Sequence, residues 1–318
     1  MRALLLKLSA ALLLSGAGAQ AAGIAIFPAS SAYGDEKGAR FRSPEGIACT
    51  DAGLVAVADS GNRRLVTFRF TDGKLSGGAE IKLAQLGAPV RLQIDGQGNL
   101  LALDSRTRRI VRVSPQGAFL GFLEPTGLPI GRGFFPVSFK LDAAGSVYLL
   151  DVLSARVVVL DGKGVFERQL ELPPKAVATD VAVDAKGTLY VVDAVAAIVY
   201  SAPKGARLFA PFSKSLRDYA SFPTYLAEAG RGLFFVVDRN GDGLVVLGPD
   251  GSFAGRQLGI GWTEGLIDSP GQICVDGKGD VFIADRNNHR VQAFTPAPVA
   301  VADLPPDSIA APARVPSR

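Results

Sequence analysis

The 318-residue sequence is poor in the side chains that most often carry chemistry, since it contains one histidine and two cysteines. His289 alone does not supply a histidine-based zinc site, and a Ser-His-Asp triad is hard to assemble around a single histidine. Neither a Cys-x-x-Cys pair nor a haem-attachment motif occurs. The sequence therefore predicts no catalytic residues and no resident cofactor.

Long apolar runs are also lacking, apart from a short one at the N-terminus. Residues 1–21 combine the positive Arg2 and Lys7 with an apolar core over Leu8–Leu14 and small residues at Ala17–Ala21, which predicts a secretory signal peptide. That core is too short to span a bilayer, and no later stretch approaches the required length. We therefore expect an exported protein, periplasmic or extracellular, without a membrane span.

An excess of positive charge is largely missing from the mature chain. Residues 1–21 contain Arg2 and Lys7, so their removal reduces the 34 basic residues to 32, against 30 acidic ones, and the net charge falls from +4 to +2. Such a balance, together with export, argues against a nucleic-acid partner.

Uninterrupted segments long enough for helical repeats are absent, because Gly, Pro or Asp recurs every five to eight residues. Instead, a short apolar strand that ends on an aspartate occurs six times, at intervals of 42 to 47 residues. The six aspartates are Asp59, Asp104, Asp151, Asp193, Asp238 and Asp285. This period predicts a β-propeller with one four-stranded blade per repeat.

Other positions recur in register with these aspartates. A glycine lies six residues before each of them, and in four copies an aspartate lies three residues before that glycine, which is the chemistry of a type I turn. A proline lies fifteen residues before the aspartate in five copies and suits the start of a strand. An arginine lies five residues after it in four copies: Arg64, Arg109, Arg156 and Arg290. We expect this arginine to pair with the aspartate and to fix the turn between them.

These positions resemble the NHL-repeat family. The motif reads Asn288-His289-Arg290-Val291 in the last copy and Asn62-Arg63-Arg64-Leu65 in the first, and copies four and five depart from it. The resemblance covers roughly residues 41 to 296 and implies a β-propeller that usually serves as a binding platform. It does not by itself imply a reaction.

The predicted fold is an all-β, six-bladed β-propeller of four-stranded antiparallel blades. The last repeat lacks an outer strand, and residues 24–27 form one that has no repeat of its own, so an N-terminal strand is expected to close the ring. The predicted domains are a signal peptide over 1–21, the propeller over 22–296 and a disordered tail rich in Pro and Ala over 297–318.

Cys49 and Cys274 belong to the innermost strands of the first and last blades, which are neighbours in a closed ring. Their offsets from the repeat aspartates have opposite parity, so they point to opposite faces of equivalent strands and can share one interface. A disulfide is one interpretation, and export permits it. Two buried, unbonded cysteines are the other.

The turn after Asp238 has the oxygen pattern of a calcium loop, with Asp238, Asn240 and Asp242 followed by Gly243. The position of the bidentate glutamate is occupied by Pro249, and Asp238 already has a repeat role. The pattern leaves a calcium site and an ordinary turn both open.

The turns that follow the aspartates differ around the ring. Blades three and four present apolar residues there, and blade five presents the acidic turn. Blades six, one and two present a basic arc: Arg63, Arg64, Arg106, Arg108, Arg109, Arg286, His289 and Arg290. Some of these arginines are expected to pair with repeat aspartates, and the rest to attract an acidic protein or an anionic polymer.

The function predicted from the sequence is an exported, monomeric scaffold that binds a protein or polymer partner through this loop face. A metal-dependent hydrolase or lyase of the calcium type is the alternative, because such enzymes exist on similar propellers. A structural spacer is the third hypothesis.

Overall fold

Six antiparallel sheets of four strands each are present in the computed structural model, which describes residues 24–129, 134–230 and 232–298. The predicted signal peptide and residues 299–318 of the predicted tail lie outside these ranges. The all-β, six-bladed prediction is confirmed. None of the described residues form a helix with the length and apolarity that spanning a bilayer requires.

Each blade runs from an inner strand to an outer one, and the strands are numbered in chain order. From blade one to blade six they are β2 Gly46–Cys49, β3 Leu54–Asp59, β4 Arg64–Thr71 and β5 Lys74–Ile81; β6 Pro89–Ile94, β7 Leu100–Asp104, β8 Ile110–Val113 and β9 Phe119–Leu123; β10 Pro136–Leu141, β11 Val147–Asp151, β12 Arg156–Leu160 and β13 Phe166–Glu171; β14 Ala178–Val183, β15 Leu189–Asp193, β16 Ile198–Ala202 and β17 Ala210–Pro211; β18 Pro223–Glu228, β19 Phe234–Asp238, β20 Gly243–Leu247 and β21 Phe253–Gln257; β22 Ile273–Val275, β23 Val281–Asp285, β24 Arg290–Pro298 and β1 Ile24–Ala32.

In blades two, three, four and six, the turn between the first two strands has the predicted chemistry. In blade two, the Asp95 carboxylate accepts backbone N–H bonds from Gln97 and Asn99 at 2.9 Å, and the Gly98 N–H donates to the Asp95 carbonyl at 2.9 Å. Gly98 has a φ of +80°, a conformation that disfavours a side chain. This local chemistry fixes where the inner strand ends, on the face opposite the repeat aspartates.

Three of the five recurring prolines, Pro89, Pro136 and Pro223, lie at β-bulges. The pairing of inner and second strands shifts register between Pro89 and Arg91, and again between Pro223 and Tyr225. A proline has no N–H to donate to the ladder, so a bulge is a natural place for it. Arg91 and Tyr225 belong to opposite blades, yet they contact each other, so both side chains extend across the axis of the ring.

The sequence predicts outer strands over residues 80–83 in blade one and 207–212 in blade four, and both differ in the structure. In blade one the outer strand begins at Lys74 rather than Glu80, because Asp72 and Gly73 form a two-residue hairpin with φ of 51° and 75°. An Asp-Gly pair in this conformation matches the twist of a β-hairpin. In blade four the predicted outer strand over 207–212 shortens to Ala210–Pro211.

The apolar core consists of layers between neighbouring blades. One such layer joins blades two and three through Leu103, Phe139 and Leu149, none of them more than 1% exposed. Equivalent clusters fill the other five interfaces, including the one between blades six and one. Each blade is therefore held by burial on both faces, and its turns are left to the two ends of the propeller.

The N-terminal strand closes the ring, as predicted. β1 pairs antiparallel with β24 from Ile24 opposite Pro298 to Ala32 opposite Val291, and is longer than the predicted 24–27. Ile26 is buried in the layer that also contains Phe294. The strand thus covers the edge that the last repeat would otherwise expose.

A second closure is covalent. Cys49 in β2 and Cys274 in β22 form a disulfide whose Cα atoms are 5.9 Å apart. The bond connects the inner strands of the first and last blades, at the same junction that β1 closes from the outside. The protein therefore joins its two ends by hydrogen bonds at the rim and by a disulfide near the axis.

Candidate functional site

Buried ion pairs hold three of the six turns on the loop face, the face on which the second strands end. The Nε atoms of Arg64, Arg156 and Arg290 lie 2.7, 3.0 and 2.7 Å from a carboxylate oxygen of the repeat aspartate five residues earlier. Arg64 is 3% exposed and Arg290 1% exposed. These two members of the predicted binding set are therefore structural, because a partner has no access to them.

Arg109 in blade two departs from the expected pairing. Both oxygens of Asp104 are occupied by the N–H groups of Gly87, Ala88, Arg106 and Thr107, and the Thr107 hydroxyl adds a further bond. The Arg109 guanidinium instead lies 3.3 Å from the ring centroid of Phe122 and pairs with Glu124 at the surface. Thr107 alone does not explain this difference, because Asn62 and Asn288 donate from the equivalent position to aspartates that still pair with arginine.

Blade five has a glycine, Gly243, where blades one, three and six have the paired arginine. Arg256 comes from the outer strand into that space, and its Nη1 lies 2.9 Å from the Asp238 carboxylate. An added Cβ at Gly243 would meet this guanidinium at 2.8 Å. The turn is thus fixed by the same chemistry with a donor from another strand.

Four exposed arginines form what we call the basic rim: Arg40, Arg42, Arg63 and Arg106. No carboxylate in the described ranges forms an ion pair with any of them. Arg63 and Arg106 belong to the predicted set, whereas Arg40 and Arg42 precede the first repeat and were missed. An unpaired arginine in the loop before a repeat carries no motif signal.

Hydrogen bonds show that the turns carrying the basic rim lie side by side. The Ser43 N–H donates to Nδ1 of His289 at 3.0 Å, which joins blade six to the segment before blade one. The Asn62 amide donates to the Arg40 carbonyl at 2.9 Å, and the Ser60 hydroxyl donates to the Pro89 carbonyl at 2.5 Å. Blades six, one and two therefore present one continuous surface.

Blades three and four present apolar side chains on the same face, in what we call the apolar arc: Phe135, Val152, Leu153, Val177 and Val195. Leu153 is 65% exposed and Val195 57%. The Arg108 guanidinium lies over the Phe135 ring, 4.1 Å from its centroid, and so connects the arc to the basic turns.

A polar cluster that the sequence did not predict lies where the central channel opens onto this face. The Glu45 carboxylate pairs with Arg239 at 2.8 Å and with Arg286 at 2.9 Å, and accepts a hydrogen bond from the Tyr225 hydroxyl at 3.0 Å. Arg91 donates to the same hydroxyl at 2.7 Å. We call these five residues the mouth cluster. They come from four repeats, so no local motif contains them.

The channel below the mouth cluster is crossed by side chains that bind inner-strand backbone. The Gln272 amide accepts from the Leu92 N–H at 2.9 Å and donates to the Leu92 carbonyl at 3.0 Å. Asp180 accepts from the Ser138 hydroxyl and from the Leu226 N–H. Inner strands expose unpaired backbone groups toward the axis, and these side chains satisfy them.

Asp180 is buried in this channel, and the half-buried Lys140 acts on it electrostatically without forming an ion pair. Burial raises the pKa of the Asp180 carboxyl above its usual value, and the Arg91 charge only partly opposes this. Burial lowers the pKa of the Lys140 amine, against the attraction of Asp180 and Glu228. Both groups therefore favour their neutral forms more than they do in water.

This shift predicts a pH dependence of stability. A carboxyl whose pKa is raised by folding stabilises the native state below its unfolded pKa, and that contribution is lost as pH rises through the folded pKa. Asp180→Asn should be isosteric, because its oxygen still accepts from Leu226 and its amide still meets the Ser138 hydroxyl. We expect the stability of D180N relative to the unchanged protein to increase as pH rises from 4 to 7.

Urea unfolding at several pH values measures this difference. Asp161→Asn is the control, because a backbone hydrogen bond from Val165 lowers the pKa of Asp161. The stability of D161N relative to the unchanged protein should therefore decrease as pH rises. A D180N difference that stays constant with pH would show that Asp180 does not titrate anomalously.

The residues of the predicted calcium turn are already used by the chain. One Asp238 oxygen accepts N–H bonds from Ser221, Phe222 and Gly241, and the other pairs with Arg256. Asp242 accepts from the Ser269 N–H at 2.6 Å, while Asn240 is exposed. Across the described ranges, no three His, Cys, Asp or Glu side chains are grouped as metal ligands would be. The donor set therefore does not fit a bound calcium ion without rearrangement.

Comparison with known proteins agrees with this geometry. The family model of the NHL repeat matches residues 268–294, the segment that contains the buried Asp285–Arg290 pair. The chain is a six-bladed β-propeller that contains an NHL repeat. A search of curated protein sequences returned no match.

Solved structures similar to this NHL propeller share its fold at low sequence identity. A streptogramin B lyase is 12% identical, with a TM-score of 0.60, and the match covers 86% of this chain and 98% of the other. A virginiamycin B lyase from Staphylococcus aureus is 16% identical, with a TM-score of 0.55 and coverages of 80% and 94%. A gluconolactonase from Xanthomonas campestris is 15% identical, with a TM-score of 0.62 and coverages of 81% and 87%. At these identities the likeness concerns the fold alone.

Proposed function

We propose that this NHL propeller is an exported binding protein that takes an anionic partner, an acidic protein or an anionic polymer, on its loop face. The observation that carries the proposal is the basic rim, four exposed arginines without a carboxylate partner in the described ranges. Elsewhere on this face Arg217 donates to the Val195 carbonyl, and the buried arginines pair with repeat aspartates. The rim is the part of this face where several exposed arginines without a carboxylate partner lie on adjacent turns.

Electrostatics supports an anionic partner of extended shape. A single exposed ion pair contributes at most about 1 kcal/mol, so one arginine does not hold a partner. Several unpaired guanidinium groups on adjacent turns act together on a polyanion, and they also raise the rate of encounter. Arginine further suits carboxylate, sulfate and phosphate groups because its planar fork donates two parallel hydrogen bonds.

Charge reversal at the rim tests the proposal. We expect the triple variant R42E/R63E/R106E to weaken binding to poly-glutamate or heparin by at least about 100-fold, since three charge-assisted contacts of about 1 kcal/mol each become repulsive. Isothermal titration at low and at physiological salt measures the loss, and affinity of the unchanged protein should fall as salt rises.

A variant reversed on the opposite face is the control. Lys163, Lys186 and Lys204 lie near the other ends of the strands, and K163E/K186E/K204E changes the net charge by the same amount. Equal losses in both variants would mean that only net charge matters and would contradict a site on the rim. Unaltered melting temperatures in both show that the fold is kept.

An enzymatic function is the second candidate, because lyases and gluconolactonases are among the proteins of similar fold. It would be located at the channel mouth, where several polar groups converge. Hydrolysis of gluconolactone, measured with and without added calcium, tests it directly. The binding proposal expects no turnover above background in either condition.

A further inference from the structure

The mouth cluster has the form of a carboxylate receptor. Guanidinium groups hold both oxygens of Glu45: Nη2 of Arg239 lies 2.8 Å from Oε1 and 2.9 Å from Oε2, and Nε of Arg286 lies 2.9 Å from Oε2. Tyr225 adds a hydroxyl donor to Oε1 at 3.0 Å. Burial raises the pKa of the Tyr225 phenol, which keeps this donor protonated. Three donors from two neighbouring blades thus converge on a carboxylate that belongs to a third.

The cluster holds more positive charge than Glu45 neutralises. Arg91 is a third guanidinium, 4.1 Å from the Tyr225 ring centroid, and its Nε is buried without a hydrogen-bond acceptor. Asp180 also interacts electrostatically with Arg91, and burial raises the pKa of the Asp180 carboxyl. An ion pair that only connected two blades would need one guanidinium group for one carboxylate, whereas this cluster has three guanidinium groups for the carboxylate of Glu45. A buried donor without an acceptor is costly unless an acceptor arrives.

The site is reachable from the loop face. The Arg239 and Arg286 side chains are 23% and 37% exposed, so a solute reaches their outer edges. The Glu45 backbone is fixed, because its N–H donates to the Ala58 carbonyl and its own carbonyl accepts from the Gln272 N–H. Rotation of the Glu45 side chain alone is enough to free both guanidinium groups.

We propose that the channel mouth binds the carboxylate of a ligand, and that the Glu45 side chain is an internal competitor for the same place. The ligand class is a small organic monocarboxylate or the free C-terminus of a peptide, which share the recognised group. This site is separate from the basic rim, because the rim arginines do not contact Glu45. It goes beyond the proposed polyanion binding and does not depend on it.

Titration with propionate at constant ionic strength tests the proposal. The unchanged protein should show saturable binding by isothermal titration or NMR, and chloride should not compete. Glu45→Ala removes the competitor and should tighten propionate binding by at least about tenfold, the equivalent of 1.4 kcal/mol. Arg239→Gln should weaken it by a similar factor, because it removes one charge-assisted bond.

Matched controls keep the test decisive. Arg63→Gln changes an exposed turn arginine that does not touch Glu45, and it should leave propionate affinity unchanged. Glu45→Gln replaces E45A if the alanine variant does not fold, since it keeps the side-chain volume and removes the charge. The rim variant R42E/R63E/R106E should still bind propionate, so failure of one proposal is distinguishable from failure of the other.

The source of the carboxylate is decided by a second pair of probes. N-acetyl-alanyl-alanine with a free C-terminus binding more tightly than propionate would identify a peptide terminus as the ligand, and its C-terminal amide should not bind. Propionate binding as tightly as the peptide would identify a small acid. Absence of saturable carboxylate binding to the unchanged protein, or equal affinity in the R239Q variant, would overturn the proposal.

Discussion

Replacing Arg156 with methionine is expected to lower the free energy of unfolding by about 3–5 kcal/mol. Arg156 is fully buried and its Nε lies 3.0 Å from Asp151, which is also fully buried. Methionine fills a similar volume but leaves the aspartate as a buried charge without its counter-ion. Urea unfolding followed by circular dichroism measures the loss in free energy of unfolding. This loss should match the cost of breaking a buried ion pair rather than an exposed one.

Arg109→Met is the matched control, because Arg109 occupies the same repeat position in blade two. Its side chain is 47% exposed and pairs with Glu124, which is 65% exposed, so its loss should cost less than about 1 kcal/mol. The double variant D151N/R156M should be more stable than R156M alone, since it removes the orphaned charge. If R156M and R109M were equally destabilised, position in the repeat rather than burial of the pair would determine the effect.

Loss of the N-terminal strand is expected to have the second large effect. A chain that begins at residue 29 lacks residues 22–28, including the buried Ile26 and five of the residues that pair with β24. Removing a buried isoleucine alone costs about 2–5 kcal/mol, and the exposed edge of β24 should also promote aggregation. The melting temperature of the shortened chain should fall sharply compared with a chain that begins at residue 22.

The disulfide should partly compensate for this truncation, because it closes the same junction. Cys49→Ala with Cys274→Ala is expected to cost about 2–5 kcal/mol in a chain that begins at residue 22. Combining the two alanine substitutions with the truncation should cost more stability than the sum of the two separate losses. In the combined variant neither the disulfide nor the N-terminal strand remains to close the ring. Strict additivity, or an unchanged melting temperature after truncation, would show that the two closures do not act on one ring junction.

Much of the fold was predictable from the sequence because the repeat is encoded by local chemistry. The aspartate–glycine turns and the starting prolines act within a few residues, so Asp95 and Gly98 reveal their role without tertiary information. The closing strand was predictable from the number of strands, since the last repeat lacks an outer strand and the N-terminal strand belongs to no repeat. The Asp72–Gly73 hairpin is also encoded locally, but it was not used in the prediction, which placed the start of the outer strand of blade one at residue 80 instead of Lys74.

The candidate site was less predictable because its residues meet only after the ring closes. Glu45, Arg91 and Tyr225 come from the first, second and fifth repeats, and no spacing rule connects them. The predicted basic arc contained both exposed arginines and arginines that are buried against a repeat aspartate. Arg63 and Arg64 are neighbours in the sequence, but only Arg64 is buried. Burial separates such pairs, and a sequence pattern does not report it at the resolution of a single residue.

The antiparallel pairing of Ile24 with Pro298 also determines how the protein responds to tension. A pull applied at these two points loads the hydrogen bonds between β1 and β24 one after another, as in unzipping, instead of shearing them all at once. Once β1 has detached, force passes through the sulfur–sulfur bond between Cys49 and Cys274. The chain between those cysteines carries no load, so most of the blades stay folded while the two ends extend.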